Sequence, residues 1–146
     1  MLFWPSLFHV EQAPSVSEFQ GNPAPGGASG LATLLAAILP EMPARERSVA
    51  RERLAGYASL VAQWAPRVNL VSLQDLPHFA ERHVVAALAL RPAMRTVPHD
   101  NVIDVGSGAG LPGIPLAITL PSSTVTLVES RRRRANFLRQ ATRQLA

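Results

Sequence analysis

The chain has 146 residues, 47% of them hydrophobic, which is enough for one small domain with a core and excludes global disorder. All of its basic residues are Arg, its net charge is +4, and it has no Cys, which excludes disulfides and thiolate metal sites. The longest apolar stretches, Leu31–Leu39 and Val84–Leu90, fall far short of the roughly 20 residues a membrane span needs, and no Lys or Arg precedes Arg45 to head a secretory signal, so a cytoplasmic protein is expected.

Residues 1–30 hold Pro5, Pro14, Pro23, Pro25 and the pair Gly26–Gly27 without a periodic pattern, and are read as a mostly disordered tail whose aromatic opening, Leu2-Phe3-Trp4, frays. Residues 31–98 are read as a helical region. A short apolar helix over 31–39 is stopped at Pro40. From Ala44 to Trp64 the positions Val49, Leu54, Tyr57, Leu60, Val61 and Trp64 recur at steps of three and four, the buried face of an amphipathic helix that Pro66 closes. A loop around Asn69–Ser72 precedes a second helical region, Leu76–Leu90, interrupted near its start by Pro77, and Pro92 and Pro98 bracket a linker.

The pattern changes near residue 99. A short buried-type strand, Val102–Val105, runs into a glycine-rich turn from Gly106 to Gly113. Ile114–Leu120 reads as a helix with Pro115 in its first turn, Thr124–Val128 as a β-branched strand, and Arg131–Leu145 as a helix. Strand, turn, helix, strand, helix is a βαβ unit with one further helix, so residues 99–146 are expected to start a Rossmann-like α/β core of about two parallel strands.

The chemistry sits in the turn. Asp104 to Gly110 reads DVGSGAG, and its glycines permit a tight turn and close approach of backbone to a ligand. Glu129, at the end of the next strand and 23 residues after Gly106, is placed to accept the ribose hydroxyls of a nucleoside. Dinucleotides and S-adenosylmethionine both fit this geometry. The acid at the first strand end, Asp104, suits the cation-bearing tail of S-adenosylmethionine better than a pyrophosphate.

The segment Asp104–Ala117, DVGSGAGLPGIPLA, resembles the signature of the small-subunit (16S) ribosomal RNA guanine-N7 methyltransferases, the glucose-inhibited division protein B family. The extension Leu111-Pro112-Gly113-Ile114-Pro115 is its specific part. Trp64 followed by Asn69-Leu70, the pair Arg82-His83, Glu129-Ser130, Arg133-Arg134 and Phe137-Leu138-Arg139 also resemble family segments, so the likeness spans roughly residues 50–146. Where the family usually carries Asp-Ser, this chain has Ala86-Ala87. The family continues through further strands beyond the position of Ala146, so the core is expected to be incomplete and its cofactor binding weak.

The resemblance implies methyl transfer from S-adenosylmethionine to N7 of a guanine in 16S rRNA, with the small ribosomal subunit as partner, no membrane, and a monomeric protein. N7 carries an exposed lone pair, so no general base is expected; catalysis would rest on holding nucleophile and methyl group in line. The resemblance implies cofactor contacts at Gly106 and Leu111, close backbone approach at Gly108, the methionine amino group near Asp104, and the ribose at Glu129. On a helical wheel Arg132, Arg139 and Arg143 share one side of the last helix and Phe137, Leu138, Ala141 and Leu145 the other, so the Arg stripe is either an RNA phosphate surface or a solvated face. His83 is expected to be a packed structural residue, and His9, His78 and His99 show no metal-ligand spacing. Two alternatives stay open: a nicotinamide-dependent oxidoreductase, which leaves the Leu-Pro-Gly-Ile-Pro extension unaccounted for, and a non-catalytic RNA-binding fragment.

Overall fold

A computed structural model of the chain describes residues 2–4, 39–94, 96–97 and 100–146. In chain order it holds β1 (Leu2–Trp4), α1 (Ala44–Trp64), a single 3-10 turn (Leu76–His78), a π turn (Ala80–Val84) running into α2 (Val85–Leu88), α3 (Arg91–Met94), β2 (Asn101–Val105), α4 (Gly113–Thr119), β3 (Thr124–Val128) and α5 (Arg132–Leu145).

The parallel pair expected from the sequence forms. β2 lies beside β3 with Asn101 opposite Thr124 and Val105 opposite Val128, and α4 joins them. This is the first βαβ unit of a Rossmann-like sheet. One feature departs from the sequence reading. Leu2–Trp4, expected to fray within a disordered tail, pairs antiparallel with β3, Phe3 opposite Thr126, and the sheet order becomes β1-β3-β2. The free edge of β3 offers an unpaired row of N–H and C=O groups, and a β-prone Leu-Phe-Trp segment satisfies it. The rest of the expected tail, and all but Leu39 of the helix expected over 31–39, lie outside the described residues.

The helices follow from their patterns. α1 buries Ala50, Leu54, Tyr57, Leu60 and Val61 and turns its Arg-rich side outward. Val49, expected on the buried face, is 43% exposed. α5 buries Phe137, Leu138, Ala141 and Leu145 and exposes Arg132, Arg139 and Arg143, the division drawn from the wheel. The interruption expected at Pro77 in the helical region 76–90 is seen as an opening 3-10 turn, and the rest of the region continues as a π turn and a short α-helix. The expected Pro92–Pro98 linker begins as the helical turn α3: Pro92 fits a first turn, where its missing N–H costs no bond. Arg91, 8% exposed, donates to Glu41 Oε1 at 2.7 Å and so ties this turn to the start of the helical layer.

One core joins the layers. Leu54, Tyr57 and Val61 of α1 pack with Phe79 and Val84, with Ile114 and Ile118 of α4, with Val125 and Leu127 of β3, and with Phe137 and Leu138 of α5. Trp64 meets Phe137 edge-on, centroids 5.8 Å apart, so Trp64 is a packing residue. On the outer side of β2, Ile103 and Val105 are 62% and 78% exposed, and β2 forms one edge of the described sheet.

Phe137→Ala removes a fully buried ring at the join of α1, β3 and α5. The expected cost is about 3–5 kcal/mol, measured by denaturant unfolding followed by circular dichroism. A loss under about 1 kcal/mol would show that this join does not hold the layers together.

Candidate cofactor-binding site

β2 ends at Val105 and the chain turns sharply. Gly106, Gly108 and Gly110 take φ of +79°, +56° and +92°, a region that costs an L side chain about 1–2 kcal/mol. The turn is held by its own backbone. Gly106 and Ser107 N–H donate to Val128 O at 2.8 and 3.1 Å, Gly110 and Leu111 N–H donate to Ser107 O at 2.6 and 3.1 Å, and Ile114 N–H donates to Gly110 O at 2.7 Å. Ser107, 2% exposed, locks turn to strands: its hydroxyl donates to Asp104 O at 2.9 Å and accepts from Val128 N–H at 3.2 Å.

The glycines serve different purposes. A Cβ on Gly110 would run into the Ile114 side chain and sit 3.2 Å from Leu138 Cδ2. A Cβ on Gly113 would run into Leu127 and lie 2.7 Å from Asp104 Oδ2. A Cβ on Gly106 would meet nothing within 4 Å. Gly110 and Gly113 are therefore packing requirements, whereas Gly106 faces open space, the side on which a ligand would lie. The residues present fit a nucleoside cofactor with a cationic tail: an open glycine backbone with a carboxylate at each strand end.

Asp104 is half-buried and accepts the Gly113 N–H on Oδ2 at 3.1 Å. Burial pushes its carboxyl above the ordinary aspartate value, and hydrogen bonding from Gly113 and Ser107 offsets part of that. A partly desolvated carboxylate gains from a cation beside it. Glu129 accepts the Gly108 N–H on Oε2 at 3.0 Å and the Arg131 N–H on Oε1 at 2.8 Å, coupling the glycine turn to the start of α5. The Arg131 amide, against an opposing effect of burial and with help from the Gly108 amide and the Arg134 charge, holds its carboxyl below the ordinary glutamate value. A carboxylate has about four lone-pair sites, so acceptor capacity remains beyond these amides.

The structure thus brings Asp104, Gly106, Gly108, Leu111 and Glu129 to one turn, with Leu111 packed against the core. Arg132, Arg139 and Arg143 stay on the outer face of α5. Arg134 reaches the turn instead: its Nη2 donates to Asn69 O at 2.5 Å, and Nη1 lies 3.9 Å from where a Gly108 Cβ would be. His83 stacks at a tilt on Phe79, centroids 5.6 Å apart, as a packed residue. Clefts of about 330 and 320 Å³ lie elsewhere, between the start of α1 and Pro121, and no turn residue lines them. Among the described residues no group of three or more His, Asp or Glu is placed to hold a metal ion, and no helix is long and apolar enough to cross a membrane.

Two residues escaped the sequence reading. Tyr57, read as one apolar position among several, is fully buried and its hydroxyl donates to Ala109 O in the turn at 2.8 Å. Burial, helped by the Asp104 charge, pushes its phenol well above the ordinary tyrosine value, so it stays a donor. A Tyr on an otherwise apolar face was the available signal, since a buried hydroxyl seeks an acceptor. Ser107 was visible only as a residue between two glycines.

The profile of the family described as rRNA small subunit methyltransferase G matches residues 50–146. The chain belongs to that family. It is similar to the ribosomal RNA small subunit methyltransferase G of Granulibacter bethesdensis, 47% identical over 92 residues covering 63% of this chain and 42% of that protein. Against the protein of that name from Xylella fastidiosa strain M23 the identity is 45% over the same shares, and against that from Stenotrophomonas maltophilia strain K279a it is 43%, covering 61% and 41%. The chain spans about two-fifths of the length of these relatives. The match includes the Leu111–Pro115 extension, for which the oxidoreductase alternative had no account.

Gly110→Ala is expected to cost about 2–4 kcal/mol, from backbone strain plus the collision with Ile114, whereas Gly106→Ala costs about 1 kcal/mol. Thermal unfolding of the two variants checks the order, and equal losses would contradict it. For Glu129 the sign follows from a lowered pKa. Its contribution to stability is present above the ordinary glutamate value and is lost as pH falls through the lowered one. The Tm gap between the wild type and Glu129→Gln should therefore narrow on going from neutral to acid pH. A gap that stays constant would show that ionised Glu129 does not hold the turn.

Proposed function

We propose that this chain carries the cofactor-binding part of an S-adenosylmethionine-dependent methyltransferase that acts on N7 of a guanine in 16S rRNA. The observation that carries the reading is the Asp104–Gly113 turn, with open backbone at Gly106 and carboxylates at both strand ends, inside a chain of the rRNA small subunit methyltransferase G family. Asp104 would face the methionine amino group, Glu129 the ribose hydroxyls, Gly106 and Gly108 would offer backbone at close range, and Leu111 an apolar contact. When bound, S-adenosylmethionine supplies a methyl group on a sulfonium, an electrophile that a guanine N7 lone pair attacks without prior loss of a proton.

The chain's own residues therefore have binding and aiming to do and no proton to move. The fixed turn supplies the first part, because preorganised backbone need not be ordered on binding. The exposed Arg132, Arg139 and Arg143 would hold RNA phosphates by charge, and the work would take place in the cytoplasm on the small ribosomal subunit.

Isothermal titration of the chain with S-adenosylmethionine and, separately, with NADH tests this. The expected result is saturable, weak uptake of S-adenosylmethionine that Gly106→Arg abolishes, and no uptake of NADH. Uptake of NADH alone would overturn the reading. Salt-sensitive RNA binding with no S-adenosylmethionine uptake would leave a non-catalytic RNA-binding piece. Replacing Arg132, Arg139 and Arg143 together by Gln should lower the salt dependence of RNA binding by about three phosphate contacts, read from the slope of log affinity against log salt.

A further inference from the structure

We propose that Tyr57 is a positioning residue for the cofactor turn: a latch by which α1, outside the βαβ unit, fixes the peptide between Gly108 and Gly110. The inference rests on the cofactor reading above and adds the control of that site by the helical layer.

Gly108 and Gly110 both take positive φ, and glycine backbone changes region at little cost, so Ala109 sits between two flexible joints of the turn. Within the unit, the N–H end of the Ala109–Gly110 peptide is held by Ser107 O, and Gly108 N–H, further back, by Glu129. The Ala109 carbonyl is pinned from outside, by the Tyr57 hydroxyl at 2.8 Å. Tyr57 is 0% exposed and Ala109 5%, so water does not readily replace the phenol, and a buried carbonyl left without a donor is costly. The ring is itself held, edge-on to Phe79 with centroids 5.4 Å apart. A swing of the Ala109–Gly110 peptide would break the Gly110 N–H bond to Ser107 O and loosen the turn that presents the Gly108 N–H to Glu129, the carboxylate assigned to the ribose. Tyr57 touches no substrate or cofactor atom in this scheme and acts through Ala109.

Tyr57→Phe keeps the ring and removes only the hydroxyl. Phe79→Leu serves as its control, loosening the packing around the ring while leaving the hydroxyl in place. Both are compared with the wild type by titration with S-adenosylmethionine, by Tm, and by hydrogen exchange of the Gly110 and Leu111 amides. The expected result for Tyr57→Phe is about tenfold weaker S-adenosylmethionine binding and about tenfold faster exchange of those two amides, with β2 and β3 amides unchanged. For Phe79→Leu the expectation is a lower Tm with affinity within about twofold of the wild type. Wild-type affinity and wild-type exchange in Tyr57→Phe would overturn the proposal, as would an equal loss of affinity in Phe79→Leu, which would reduce Tyr57 to general packing. If the wild-type chain takes up no S-adenosylmethionine, the cofactor reading fails. The exchange comparison then decides the latch alone: accelerated turn amides uphold it and unchanged rates overturn it.

Discussion

The turn from Gly106 to Leu111 packs a sharp reversal of the chain against the core, and at Ser107, Ala109 and Gly110, which are buried, the polar backbone groups have to be paired within the protein. Where those partners come from arranges the rest of the molecule. Val128 O takes two N–H groups and so fixes β3 beside β2. Glu129 takes the Gly108 N–H and also the Arg131 N–H, so the same carboxylate sets the start of α5. Tyr57 supplies the donor for Ala109 O, so α1 is drawn to the turn. One requirement, satisfying a strained loop, places two strands and two helices.

The same requirement explains why the site depends on parts of the chain with no chemistry of their own. α1 contributes an Arg-rich surface and one hydroxyl to the turn, and it shares a core with α4, β3 and α5. α5 begins unfavourably, with Arg131, Arg132, Arg133 and Arg134 where the helix dipole disfavours positive charge. Glu129 at its entrance, and the Arg134 contact with Asn69 O, give that charge somewhere to go. One carboxylate thus serves both the glycine turn and the start of α5.

The turn is open at Gly106, and the sheet beside it leaves Ile103 and Val105 uncovered on β2. An edge strand with bare apolar side chains is a surface that larger doubly wound sheets cover with further strands and helices. The chain corresponds to about two-fifths of its relatives' length, and its described residues hold the glycine turn, the two acids and the helical layer.

Much was legible in the sequence because it is local. The strands β2 and β3, the turn between them, the helices α1, α4 and α5 and the buried face of α5 follow from periodicity of two or 3.6 and from glycine and proline at fixed places, properties a short segment carries with it. The family resemblance rests on the same contiguous run, Asp104–Ala117. Other features depend on partners far along the chain. The pairing of Leu2–Trp4 with β3, some 120 residues away, needed an unpaired strand edge that no local pattern announces. Pro77 marks the break at the start of 76–90, but the π turn that follows it, and Pro92 inside a helical turn anchored by Arg91 and Glu41, follow from packing against neighbours. Above all, the sequence determined that the turn would have glycines and that α1 would bury Tyr57. Only the tertiary structure decided that the Tyr57 hydroxyl would meet the Ala109 carbonyl, because a buried donor and a buried acceptor find each other only when the fold leaves them no water.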